Sequence, residues 1–308
     1  MTLLAVPNVS EGRDGAMIEA IGVAFATEGG VRLLDVHADG DHDRSVFTLA
    51  GAPGELSDAL VRGAGEAVSR IDVMSEGDGK RGVHPHVGAI DVVPVVYLDD
   101  SARGAACAEA LVVADRIGDE LSVPVFLYGE LTEAGGHSPS AHIPVSASGR
   151  TRAELRRGGV AGLAGRIAAG ELRPDFGPSR MHSSAGATLV AARPPLVAFN
   201  LRLSPPATVA DAQRIAALIR EGGPEGLPGL RAIGVELGGG VAQVSMNVER
   251  PFEVTLAMVV AAVRRHATLA SAELVGLAPR AALEGFPDEV RFVCSDPGKQ
   301  LIEHLLGD

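Results

Sequence analysis

The chain runs to 308 residues, 46% hydrophobic but only 3% aromatic, so it can fill one large or two ordinary domains around an aliphatic core. Its formal net charge of −12 is relieved by no Lys/Arg-rich run, which argues against a phosphate-neutralising nucleic-acid face. Two distant cysteines, Cys107 and Cys294, make neither a disulfide framework nor a four-thiolate zinc site. With no signal-peptide pattern and no apolar run of the ~18 residues a membrane span needs, the expectation is a soluble, cytoplasmic protein without a membrane partner.

Apolar periodicity predicts a strand at residues 2–7, then a helix over 14–28 with Met17, Ile18, Ile21, Ala24 and Phe25 on one face. Gly29-Gly30 supplies its stop, because glycine tolerates the left-handed conformation that follows a helix. Strands at 31–36 and 44–50 flank an acidic turn. A helix over 55–71 and a strand over 87–97 complete a βαββαβ order. The second half repeats that order: a strand at 195–203, a helix that begins at Thr208, strands at 230–237 and 241–248 split by Gly238-Gly239-Gly240, a helix over 253–267 and a strand at 272–276.

Between them lie a helix over 102–120, a strand at 124–128, a Gly/Ser/Pro/His-rich loop over 131–147 and a helix from Thr151 to about 167, opened by the Thr151/Glu154 capping-box signature. The expected fold class is α+β, with two tandem ferredoxin-like (βαββαβ) subdomains and an α/β insertion between them. Each is expected to be an antiparallel sheet with helices on one face. The expected division is 1–180 and 181–308.

The densest chemical constellation is His84-Pro85-His86-Val87-Gly88-Ala89-Ile90-Asp91, at the mouth of an apolar strand. A histidine in such a turn can titrate near neutral pH, which suits general acid/base work; the pair at i and i+2 could instead hold a metal, and an inert exposed turn is the reading that spacing alone favours. His37, Asp39, Asp41, His42 and Asp43 form a second cluster that lacks calcium-loop spacing, so a plain hairpin turn is the better reading. His266 and His304 fall in helical stretches and are expected to face solvent. Residues 175–186 carry small and polar side chains that expose backbone N–H groups, which fits either an anionic or amide-bearing ligand or a linker.

In order along nearly the whole chain, Val6-Pro7-Asn8-Val9-Ser10-Glu11-Gly12, Leu33-Leu34-Asp35-Val36, His84-Pro85, Gly88-Ala89-Ile90-Asp91-Val92, Tyr128-Gly129-Glu130, Asp175-Phe176-Gly177-Pro178-Ser179, Gly186-Ala187-Thr188, Ala198-Phe199-Asn200 and Ala242-Gln243-Val244-Ser245 resemble the glutamate formiminotransferase family, in its stand-alone form without a cyclodeaminase domain. The resemblance implies a homodimer and a groove between subdomains that takes a reduced folate. It also implies transfer of the formimino group of N-formiminoglutamate to tetrahydrofolate, a co-substrate, in histidine degradation. It puts the catalytic histidine on His84, with no metal, and the folate-contacting segment on Gly177, Pro178, Ser179, Arg180, Met181, His182, Ser183, Ser184, Ala185 and Gly186. Asp35, Asp91 and Glu130 are candidates to assist His84, and Arg180, Arg193 and Arg202 to meet the folate's anionic tail. The chain departs from the family pattern at Val83, where Glu is usual, at His86, where Arg is usual, at His37, where an acidic residue is usual, and at Ala185, an aromatic position in the animal enzymes. A non-catalytic folate- or small-molecule-binding protein, a transferase using another formimino or formyl donor, and a metal hydrolase using His84 and His86 are the alternatives.

Overall fold

The structure, a computed structural model, describes residues 1–27, 29–75, 85–132, 150–293 and 296–307. Chain contacts divide it into two compact units, Met1–Pro194 and Pro195–Asp308. The expected division at 180/181 therefore falls inside the first unit.

In the first unit, β1 (Leu3–Ala5) and β2 (Asn8–Val9) are one strand interrupted at Pro7, which has no N–H to give to a ladder. The helix α1 (Gly15–Ala26) starts at Asp14, whose side chain accepts the N–H groups of Ala16 and Met17. It buries Ile18, Ile21 and Phe25. There follow β3 (Arg32–Asp39), β4 (Arg44–Gly51), α2 (Leu56–Arg70) and β5 (Ile90–Tyr97). In the sheet β3 pairs β4, β4 pairs β1 and β2, and these pair β5, all antiparallel.

The insertion supplies α3 (Arg103–Glu120), β6 (Val125–Leu127), α4 (Arg152–Leu155), α5 (Gly159–Ala168) and β7 (Thr188–Arg193). Two expectations change here. First, β7 was not foreseen as a strand; it lies between β5 and β6, parallel to both, so this sheet is mixed rather than antiparallel. That pairing also holds residues 181–194 in the first unit. Second, the helix expected from Thr151 to about 167 is two helices, because Gly158 (φ 77°) and Gly159 (φ 60°) take the left-handed conformation and break it.

The break lets α5 turn back over the sheet. Leu155, Leu163 and Ile167 pack on Val92, Phe126, Leu189 and Ala191, while α1, α2 and α3 cover the opposite face. Helices thus lie on both faces of this sheet, which corrects the one-sided expectation.

The second unit follows its expected order closely: β8 (Val197–Leu203), α6 (Val209–Ile219), β9 (Leu230–Leu237), β10 (Val241–Val248), α7 (Leu256–Arg264) and β11 (Leu269–Val275). The antiparallel sheet runs β11-β8-β10-β9. Phe199, Leu201, Val244, Ile215 and Val260 form its separate core. Gly239 (φ 76°) makes the β9–β10 connection, as expected of the glycine run. His266 is not simply solvent-facing: its Nε2 lies 3.0 Å from Glu225. Among the described residues no helix is long and apolar enough to cross a membrane.

Candidate functional site

The two sequence stretches singled out for chemistry meet in the first unit. Gly88 and Gly186 form an antiparallel bridge. The Ala89 N–H donates to the Ala185 carbonyl (2.9 Å), and the Ala187 N–H to the Val87 carbonyl (3.0 Å). A Cβ on Gly88 would stand 1.9 Å from the Ala187 oxygen, so only glycine permits this approach. Gly186 (φ 73°) needs the left-handed conformation as well.

Ser10 fastens the junction from β2: its N–H donates to Ala89 (2.9 Å) and its hydroxyl to Gly88 (2.8 Å). His84 itself lies outside the described residues, as do His137 and His142. The residues that follow it, from Pro85, are described, and from Val87 they are locked to 185–187.

The segment Gly177–Gly186 is held at both ends, which leaves its middle as a presented loop. Before it, the Asp175 carboxylate accepts the Leu127 N–H at 2.7 Å and pairs with Arg150. Gly177 stands against Gly118 at the end of α3, where a Cβ would meet Gly118 Cα at 2.9 Å. Within the loop, His182 Nδ1 accepts the N–H groups of Ala185 (3.0 Å) and Ser184 (3.3 Å). That fixes the neutral tautomer with its proton on Nε2. Ser179, Arg180 and Ser183 are exposed, Met181 and His182 half-buried, and Ala185 buried.

A polar surface adjoins this junction, on the half of the sheet face that α5 does not cover. Strand alternation puts Asp35, His37 and Asp39 of β3 on that face with Arg44 and Thr48 of β4 and Asn8 of β2. Asn8 Oδ1, Asp35 Oδ2 and His37 Nε2 are buried with no hydrogen-bond partner, as are the Tyr128 hydroxyl and Arg156 Nε nearby. Burying such groups unpaired costs roughly 1–3 kcal/mol each, so their concentration on one face marks a place built to meet a polar ligand. Burial raises the pKa of Asp35, and the neighbouring His37 only partly offsets it.

At the junction, β5 has one residue more than β2 can pair, Asp91, and this bulge turns its carboxylate toward the loop. Asp91 Oδ1 accepts the Val87 N–H (2.8 Å), and Oδ2 pairs with Arg156 from the end of α4. Arg44 senses both: burial and the like charge of Arg156 push its pKa down, while Asp91 acts to raise it.

Of the carboxylates proposed to assist His84, Glu130 is committed elsewhere. It accepts the Tyr97 hydroxyl at 2.5 Å and pairs with Arg103 at 2.8 Å. Asp91 is likewise partnered, by the Val87 N–H and Arg156, whereas Asp35 keeps a buried Oδ2 with no hydrogen-bond partner.

Of the second cluster, Asp41, His42 and Asp43 form the expected turn, while His37 and Asp39 lie on β3. Burial would raise the pKa of Asp39, but the His42 ring at 2.8 Å and the N–H groups of His42 and Asp41 outweigh it and hold the carboxyl far below its usual range. Among the described residues no group of three or more His, Cys, Asp or Glu is placed to hold a metal ion. Of the candidate cations, Arg180 is exposed on the loop, Arg193 ends β7, and Arg202 lies on β8 of the second unit.

Residues 2–193, nearly the whole first unit, match the model of the formiminotransferase domain, N-terminal subdomain. The chain belongs to the formiminotransferase family. It is 34% identical to a glutamate formimidoyltransferase of Streptococcus pyogenes serotype M1 over 98% of both chains. It is also 32% identical to the glutamate formimidoyltransferase of Thermoplasma acidophilum, over 90% of this chain and 88% of that one. Against the formimidoyltransferase-cyclodeaminase of Sus scrofa it is 35% identical over 97% of its own length but only 53% of the relative's, so it spans about half of that longer protein.

Arg44, Arg156, Asn8 and Tyr128, which lie at this polar face, were not singled out as site residues in the sequence. Polar residues at alternate positions of two strands, Asp35/His37/Asp39 and Arg44/Thr48, were the available signal for the face. Arg156 gave none, because its partner Asp91 lies 65 residues away in the chain.

Proposed function

We propose that this protein transfers the formimino group of N-formiminoglutamate to N5 of tetrahydrofolate, giving 5-formiminotetrahydrofolate and glutamate, a step of histidine degradation. The observation that carries this reading is the backbone junction between 87–89 and 185–187. It brings residues 87–89, which follow His84 in the sequence, against residues 185–187 at the end of the Gly177–Gly186 segment. The relatives' names, both glutamate formimidoyltransferase, agree with it.

In this mechanism the N5 lone pair attacks the amidine carbon, forming a C–N bond and a tetrahedral intermediate. The bond from that carbon to the glutamate nitrogen then breaks, and the nitrogen leaves only after it gains a proton. His84 as imidazolium supplies that proton and afterwards takes one from the N5 side, which restores it. Such acid/base assistance is worth ~10²–10⁴ in rate. The Gly177–Gly186 loop binds the folate, with the Nε2–H of His182 and the hydroxyls of Ser179 and Ser183 as donors. We assign the protein to the cytoplasm and infer that it works as a homodimer.

The test is to mix protein, tetrahydrofolate and a panel of formimino and formyl donors and to look for substituted folate by mass spectrometry. Product with formiminoglutamate is expected, with His84→Ala lowering kcat by ~10²–10⁴ while folate binding persists. Folate binding without product from any donor would replace this reading with a non-catalytic binding protein.

A further inference from the structure

We propose that the Asp35 carboxylate, with His37 and Asn8 on the same face of the sheet, forms the subsite that takes the amidine end of the one-carbon donor and selects a cationic formimino compound over a neutral formyl one. The identity of the donor rests on the transfer reading, whereas the existence of an amidinium site does not.

Asp35 reaches this face through an irregularity in β3. Leu33 pairs with Leu49 and Asp35 with Thr48, so β3 carries one residue more than β4 can match, Leu34. In an unbroken register Asp35 would oppose Phe47, whose ring packs on Phe25 of α1 on the helix-covered side of the sheet. The bulge turns the carboxylate to the other face.

Beyond the bulge the pleat is regular, so His37 lies on the same side as Asp35 and pairs with Val46. Asn8 of β2 pairs with that same Val46 and with Val92 of β5, which packs under α5. His37, Val46 and Asn8 therefore form one row across β3, β4 and β2, next to the Asp35–Thr48 pair.

Asp35 Oδ2, His37 Nε2 and Asn8 Oδ1 are each buried without a hydrogen-bond partner. Asn8 is only 3% exposed and spends its amide N–H on the Val6 carbonyl at 2.8 Å, which leaves the oxygen as its open end. An ionised carboxylate and an amide oxygen can only accept, and the His37 nitrogen accepts as well in the Nδ1–H tautomer. Among the described residues the titratable group that acts on Asp35 is His37, and burial opposes the carboxylate's charge.

A desolvated place lined by acceptors and carrying a negative charge is matched by a flat cation with several N–H groups. An amidinium is such a group, because two nitrogens share its charge and both carry hydrogen. A formamide replaces one of those nitrogens with oxygen and sets an acceptor against the carboxylate. Asp35 also favours the protonated amidine, whose carbon is the more electrophilic toward the folate nitrogen.

The experiment measures kcat/KM for N-formiminoglutamate and N-formylglutamate, with tetrahydrofolate varied separately, in the wild type, Asp35→Asn and Asp35→Glu. Beside it, formiminoglutamate, formylglutamate and formamidinium chloride are titrated into each protein by calorimetry without folate. The subsite predicts that Asp35→Asn lowers kcat/KM for formiminoglutamate roughly 10- to 100-fold, with tetrahydrofolate KM within about twofold and no loss with formylglutamate. Asp35→Glu, which keeps the charge, should recover part of the loss. An unchanged ratio of the two donors in Asp35→Asn would overturn the subsite and leave the transfer reading standing.

If the wild type makes no product, the titrations still decide. Binding of formiminoglutamate or formamidinium by the wild type that Asp35→Asn loses supports the subsite while the transfer reading fails. A wild type that binds neither sinks the subsite.

Discussion

Asp35 is held where burial opposes its charge, and its Oδ2 has no partner. Its folded pKa lies above the unfolded value, so ionised Asp35 weakens the fold above that folded pKa, and the penalty fades as pH falls through it. Asp35→Asn is therefore expected to raise the melting temperature at pH 7 and to lose that advantage toward pH 3, while lowering kcat/KM. Thermal melts across that range check the sign, and an Asn variant less stable at pH 7 would refute it.

Gly88 makes the opposite kind of demand, one of space. Gly88→Ala puts a methyl 1.9 Å from the Ala187 oxygen, and the strain, about 1–3 kcal/mol as for other overpacked sites, falls on the junction itself. Activity should fall far more than stability does, read by comparing kcat/KM with the denaturant midpoint.

Among the elements, helix starts were the most legible, because a cap is a contact within one turn. Thr151 with Glu154 and Thr208 with Asp211 both form complete capping boxes. Thr208→Ala should cost about 1 kcal/mol by chemical denaturation and leave turnover intact, since Thr208 serves as the cap of α6 in the second unit. The helix from Thr151 shows where local pattern fails. Leu155, Leu163 and Ile167 keep a helical spacing across the Gly158-Gly159 break, so periodicity alone joined two helices into one. β7 escaped for a related reason: a short buried strand between two parallel neighbours carries no alternation to distinguish it.

For the whole molecule, the two units have separate cores. Phe199 is fully buried in the second, and Phe199→Ala should cost about 3–5 kcal/mol. Hydrogen exchange should then rise across 197–275, with peptides of the first unit keeping their protection. Equal loss in both units would show that the cores unfold together.

The sequence by itself determined the order of most strands and helices, the caps, the glycine stops and, through ordered motifs, the family. All of these depend on neighbours within a few residues or on residue identity. Only the tertiary structure decided that β7 joins the first unit, that Gly186 meets Gly88, and that Arg156 reaches Asp91 across 65 residues of chain. Those partners are chosen by long-range burial and by the shape of the sheet, and no local period records which distant strand or arginine will fill a given place.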